Sequence, residues 1–528
     1  MQRSGSEERR FLHMRTFLKS FGISAAVIAV LAVLTLTVFA SRLKSEAKAR
    51  IQEYLQQRFQ SDVQFTDFDV SLYPLPGATI DGLALYHHGR HDLPPLIKIR
   101  RVVLHTGILG LFEKHIHIHS VDLEGLVLAM PPKSSGARPE FHASDVDLAK
   151  KYPVLIDRIE ADNALISIQR SDTSKPPRDF PIQHLHIQKF SFDGPADFQA
   201  QLTNAVPVGE IDAAGQFGPW IPDDPRELPV SAHYTFKNAD MGTLRGLSGT
   251  LQSNGVFSGP LDYLNVKGTA DVPNFALRVS GHPVNLHTDF TATVDGTNGN
   301  VLLHPVIAHF RHTTFVVNGA VVDLDKAAKG RTIQMDVNAK QARIEDLLYL
   351  AVKNDPPIMT GDTQFVGKME IREGDQDLMQ KLTVNGTFDV AQSHFTSPSV
   401  QEKIDSLSRR GQGHPEDNQI DDVVSDLKGN FNLANGVIDF TNLNFSVTGA
   451  AVDLHGTYGM ENGNLDFHGH LLLQAKLSQT MTGAKSVLLK AADPFFKGKN
   501  GGSSVPIKIT GTREQPQYGL DLGGGKKK

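Results

Sequence analysis

Two hydrophobic rhythms divide this chain. The first is unbroken: Phe21 to Ala40 reads FGISAAVIAVLAVLTLTVFA and carries no charge. At about 1.5 Å per residue a helix of that length spans about 30 Å, the thickness of a bilayer core. Arg3, Arg9, Arg10, Arg15 and Lys19 precede it. This excess of basic residues predicts a cytoplasmic tail over 1–20, a single transmembrane anchor over 21–40, and everything after Ser41 across the membrane. Val38-Phe39-Ala40 also carries the small residues of a cleavage site, but a signal-peptide core usually runs about 7–15 residues and this one is longer. Leu43, Ala47, Ile51, Leu55 and Phe59 then recur at a four-residue step. That spacing predicts an amphipathic helix capping the first strands.

From Asp62 the period falls to two, which is the rhythm of strands with one apolar face. Strand-like runs follow one another, among them 97–104, 116–119, 182–192, 230–236, 266–272, 286–294 and 315–317. Asp193-Gly194, Asn254-Gly255, Asp295-Gly296, Asn298-Gly299 and Asn318-Gly319 punctuate them, and such pairs are strong hairpin signals. Helical spacing returns at Ile344 to Lys353, Val400 to Leu407 and Gln479 to Ala492, and a polar segment at Arg409 to Gln419 reads as flexible. Between the last two helices the alternation is cleanest. Phe431 with Leu433, Ile438 with Phe440, Leu443 with Phe445, Val452 with Leu454, and Leu465 with Phe467 each share a strand face. The reading is a mainly β chain with a few short helices. A capping helix and β region occupy 41–340, a C-terminal β region 341–522, and a basic tail 523–528.

Alternation of this kind buries its apolar side chains in either of two ways. A sandwich packs them against a second sheet. A long antiparallel meander can instead curl into a half-open trough whose apolar lining far exceeds the few hundred Å² that soluble monomers usually expose. The natural guest of such a trough is a hydrocarbon chain. Each buried CH₂ contributes about 0.8 kcal/mol, so affinity would follow chain length and not named contacts.

Composition narrows the chemistry. The chain has 528 residues, a net charge of −5 and no cysteine. Disulfides, thiolate metal sites and cysteine nucleophiles are therefore excluded, and the lack of a strongly basic patch argues against nucleic acid as a partner. No HExxH, GxSxG or P-loop occurs. Asp223-Asp224 and Asp421-Asp422 are paired carboxylates with no candidate acid or base beside them. His115, His117 and His119 fall on one strand face, where three imidazoles could take zinc or copper. The favoured reading is a polar outer face with Ile116 and Ile118 turned inward, and no metal or other cofactor is assigned. The chain reads as non-enzymatic.

Several local stretches resemble the AsmA-like proteins of Gram-negative envelopes, relatives of TamB and of the eukaryotic bridge-like lipid transfer proteins. At the N-terminal end the likeness covers the anchor, the helix after it, Val63-Gln64-Phe65 to Leu72-Tyr73-Pro74, 97–111 and 116–128. At the C-terminal end it is carried by Ile344-Glu345-Asp346-Leu347-Leu348, Val424 to Gly429, Val452 to Tyr458, Asp493-Pro494-Phe495-Phe496 and Val505 to Thr512. The resemblance implies a long bent β-groove, open along one side and anchored in the inner membrane, with its bulk in the periplasm. It implies phospholipids as ligands, transport between the two membranes, and a role in outer-membrane homeostasis. The residues expected to line the groove are Ile116, Ile118, Phe431, Leu433, Ile438, Phe440, Leu443, Phe445, Val452, Leu454, Leu465 and Phe467. The alternative is a scaffold or assembly factor for outer-membrane proteins or envelope glycans. An outer-membrane or periplasmic protein would then pair with the last strand, expected at Gln517 to Leu522.

Overall fold

The computed structural model describes residues 48–71, 76–106, 116–130, 153–169, 177–221, 224–323, 331–498 and 501–521. The stretches read as a cytoplasmic tail and a membrane anchor, residues 131–152 and the final lysines lie outside them. Among the described residues no helix is long and apolar enough to cross a membrane. The protein is mainly β. Its chain divides into two compact units, one holding the residues up to Ser167 with Leu185–Ala196 and Pro219–Asp223, the other holding the remainder.

The first unit carries β1 (Ser61–Gln64), β2 (Asp67–Ser71), β3 (Gly77–His87), β4 (Ile97–Thr106), β5 (Ile116–Glu124), β6 (Val127–Met130) and β7 (Val154–Ile168). β1 and β2 both pair with β3, β3 pairs with β4, and β4 pairs with β5 and β6, all antiparallel. β5 and β7 are parallel. The sheet is therefore mixed, not wholly antiparallel as the alternation predicts. The long connection between β5 and β7 allows a parallel return that no hairpin could make. Helix α1 (48–59) packs on this unit. Phe59 meets Phe192 and Trp220 edge-on at 5.4 and 5.2 Å between ring centroids, and Arg58 forks onto Asp193 at 2.8 and 2.9 Å.

The boundary between the units falls within β8 (Arg178–Ser191). The second unit continues with β9 (Ala196–Ala205), β10 (Val208–Phe217), β11 (Pro229–Asp240), β12 (Leu247–Ser248), β13 (Thr250–Pro260), β14 (Leu264–Leu277), β15 (Val284–Val294), β16 (Val301–Phe310), β17 (Thr313–Val322) and β18 (Thr332–Arg343). After helix α2 (Ile344–Ala351) come β19 (Met359–Ile371), α3 (Leu378–Lys381), β20 (Leu382–Phe395) and α4 (Pro398–Gly411). The last elements are β21 (Ser425–Ala434), β22 (Val437–Val447), β23 (Ala450–Gly459), β24 (Asn464–Leu473), α5 (Ala484–Lys490), β25 (Ser503–Thr512) and β26 (Pro516–Leu520). From β13 to β26 each main strand pairs antiparallel with the next.

Bulges keep this meander in phase. The apolar spacing slips from two to three at Phe236/Ala239, Val272/Phe275, Ala339/Ala342, Val390/Ser393 and Phe440/Leu443, and the register shifts at each. The extra residue restores both flanking runs to one face and bends the strand. Asn238, Asn274 and Gln392 take the left-handed conformation this requires, at φ 54°, 56° and 51°. The sheet of this unit also turns back on itself. Leu378 N–H donates to Arg245 C=O at 3.3 Å and Arg278 pairs with Asp377 at 3.2 Å, although β15 to β18 lie between β14 and β19. Five strand spacings in a flat sheet would hold those ends about 24 Å apart.

The helices differ from expectation at their ends. Pro398 starts α4 two residues early, because proline suits the first helical turn. Its C-terminal turn runs into the segment read as flexible, which is tied down by Arg409 donating to Ile420 C=O at 2.9 Å. The helix expected over Gln479 to Ala492 is broken by Gly483 at φ 65°, leaving a 3₁₀ turn at Leu477–Thr480, α5, and a second 3₁₀ turn at Asp493–Phe496. Helix α2 docks through a fully buried carboxylate. Asp346 accepts from Arg311 Nε, His312 N and Thr313 Oγ1, each at 2.9 Å. Asp346→Ala should cost about 1–3 kcal/mol by urea unfolding, since it leaves the buried Thr313 hydroxyl and the half-buried Arg311 guanidinium without their acceptor.

Candidate functional site

Ten of the twelve expected lining residues share one face of the second unit. Phe431 lies opposite Phe440 and Leu433 opposite Ile438. Leu443 lies opposite Leu454 and Phe445 opposite Val452. Phe467 faces Gly456, and Leu465 faces Tyr458. The bulge at Thr441-Asn442 is what keeps Phe440 and Leu443 on the same side. Leu433 and Phe467 are each 7% exposed; the other eight are half-buried. The alternate positions, such as Lys428, Asp439, Asp453, His455 and Asp466, are exposed and polar.

The face reaches further than the sequence reading carried it. Phe365 and Phe388 join it from β19 and β20, where they pair with each other. Together with Phe431, Phe440 and Phe467 they form an aromatic row, with successive centroids 5.8 to 6.4 Å apart. Each such contact contributes about 0.5–1.5 kcal/mol beyond burial. The row depends on glycine. Phe431 lies opposite Gly386 and Phe388 opposite Gly429, so the rings lie over backbone. A Cβ on Gly386 would stand 3.1 Å from both Phe365 and Phe431. The cue was in the sequence, in Gly386-Thr387-Phe388 and Gly429-Asn430-Phe431, where glycine and phenylalanine two apart share a strand face.

One end of the face is covered. Val447, Ala450 and Leu473 form a small core against Ile404 and Leu407 of α4. Buried Asp405 fixes the helix by accepting from Val423 N and Gln401 Nε2, both at 2.9 Å. Beyond that core, α5 and the 3₁₀ turn after it present Leu488 and Phe495 at 75% and 84% exposure, flanked by exposed Lys485, Lys490 and Lys497. Asp493 holds this knob, accepting from Ser478 N at 2.8 Å and Oγ at 2.7 Å; those hydrogen bonds keep its carboxyl below the usual range.

Ile116 and Ile118 belong to the first unit and are not part of this face. Ile116 is 39% exposed, and Ile118 lies opposite buried Ile156. His115 lies outside the described residues. A shallow depression of about 630 Å³ crosses β17 to β21, lined by Asn318, Asp336, Asn338 and Lys368 together with exposed Val316 and Val366 and the Phe431 ring; there Asp336 is paired with Lys368 at 3.6 Å. At the far edge β26 pairs only with β25 among the described strands. Its end is held by His468, which bonds Asp521 at 2.8 Å.

No family model matches the chain, and no curated protein is significantly similar to it.

Two outcomes follow from this geometry. Gly386→Val should push Phe365 and Phe431 off the sheet and cost about 1–3 kcal/mol by urea unfolding. The hydrogen bond that His468 donates to Asp521, helped by Asp466, raises the His468 pKa. A histidine held this way stabilises its fold while protonated, and that contribution is lost as pH rises through the raised value. Amide protection factors in β26 should therefore fall as pH rises above about 6.5, the ordinary histidine value. His468→Gln should remove that pH dependence.

Proposed function

We propose that the apolar face of the second unit forms a trough that cradles the acyl chains of phospholipids and leaves their headgroups in water. On this reading the protein is a non-enzymatic lipid-binding module held in the inner membrane by residues 21–40. Its bulk lies in the periplasm, where it serves lipid transport between membranes and outer-membrane homeostasis. The observation that carries the reading is the half-buried state of the face. Inner side chains of a closed sandwich lose nearly all their exposure to the facing sheet. Here a row of phenylalanines and aliphatic side chains keeps a share of solvent contact along strand after strand, an arrangement suited to an apolar guest. The bulges and the returning turn at Arg245 and Asp377 give the curl a trough needs. Exposed Leu488 and Phe495 among lysines suit a contact with anionic lipid, where each basic residue near the surface contributes about 1 kcal/mol.

A second reading has its own observation. Among the described strands β26 pairs with β25 alone and carries exposed Tyr518 and Leu520, an edge to which a partner strand could add. The protein would then act as a scaffold for an outer-membrane protein. A photocrosslinking residue separates the two. Placed at Leu454 on the apolar face, it should capture phospholipid in cells, while at His455, on the opposite face, it should not. Capture of a protein at Tyr518, with no lipid at Leu454, would favour the scaffold.

A further inference from the structure

The parallel junction of β5 and β7 carries a feature that the lipid reading does not use. In that ladder His117 lies opposite Leu155, Ile118 opposite Ile156 and Ser120 opposite Arg158. His119 therefore faces Asp157, and His117 and His119 stand on one side of the strand with it. His117 Nε2 is 2.7 Å from one carboxylate oxygen of Asp157, and His119 Nδ1 is 3.1 Å from the other. The imidazole rings are 5.0 Å apart. One carboxylate is thus shared by two imidazoles on a rigid pair of strands. The hydrogen bond to His117, followed by that to His119, holds the Asp157 carboxyl below its usual range, so it stays ionised. The His117 carbonyl is fixed from the other neighbour by Thr106 Oγ1 at 2.7 Å.

We propose that His117, His119 and Asp157 form a binding site for a labile divalent cation of the zinc class. The three ligand atoms lie within 4.8 Å of one another. Ligands of a tetrahedral zinc ion at about 2.0–2.2 Å stand about 3.3–3.6 Å apart, so modest ring rotations suffice. Two imidazoles and one carboxylate suit zinc, copper(II) or nickel, whereas calcium and magnesium prefer shells of oxygen. All three side chains keep contact with solvent, so water completes the coordination and the ion exchanges freely. The donor atoms that now share hydrogen bonds would share the ion, and it would clip β5 to β7 where the ladder is parallel and weaker per residue.

Calorimetric titration of the chelator-stripped full chain with zinc chloride tests this. The expected result is one ion per chain. Asp157→Asn and His119→Gln should each weaken binding at least about tenfold. His287→Gln, which alters a histidine bonded to Asp271 at 2.6 Å in the other unit, should leave binding unchanged. Copper(II) bound in place of zinc should give an electron-paramagnetic spectrum with coupling to two imidazole nitrogens. Circular dichroism confirms that each variant is folded; should His119→Gln fail that check, Asp157→Asn carries the test. No uptake at about a tenfold molar excess of zinc, or uptake that a folded Asp157→Asn variant leaves intact, would overturn the proposal.

Discussion

Register is the constraint on which this structure depends. In an antiparallel ladder a slip of one residue sends every following side chain to the other face. The second unit runs through more than a dozen successive pairings, and the apolar face survives because each three-residue slip in spacing meets a bulge. Asn238, Asn274 and Gln392 make three of those bulges at the cost of left-handed backbone. The small residues Ala239, Ala339 and Ser393, all fully buried beside bulges, let the bent strands close up. Curvature and a continuous apolar face thus come from one device.

The aromatic row depends on the same register. Rings can lie across the sheet only where a neighbouring strand offers backbone in place of a side chain, and Gly386 and Gly429 do so opposite Phe431 and Phe388. A one-residue shift would turn one strand's rings to the opposite face, and a two-residue shift would set Phe388 directly against Phe431. The phenylalanines cover part of one another's rings, which makes a half-buried face tolerable in the free protein.

Much of this was legible in the residues and some was not. Period two and the pairs Phe431/Leu433 to Leu465/Phe467 placed ten side chains on one face, because alternation reports the face directly; of the turn dipeptides, Asn254-Gly255 and Asn318-Gly319 lie inside β13 and β17 and not at hairpin turns. The bulges were legible too, as the step of three from Phe440 to Leu443, but the reading there divided one strand into two. Phe365 and Phe388 were missed although Gly367 and Gly386 lie two positions away on the same strands, because which neighbouring ring those glycines face depends on register between strands, which is not a local signal. Asp157 was missed beside His117 and His119 for a related reason: parallel pairing follows a long connection, and no hairpin rule predicts it. Gly483 shows the opposite case, a local break overlooked in favour of helical spacing around it.

Native mass spectrometry of the full chain, purified from cells in gentle detergent, tests the central claim most directly. The account predicts one or more phospholipids bound per chain, with heterogeneous headgroups, since on the proposed reading the acyl chains are held and the headgroups stay in water. A folded chain that carries no lipid, and takes up none from phospholipid vesicles, would contradict it.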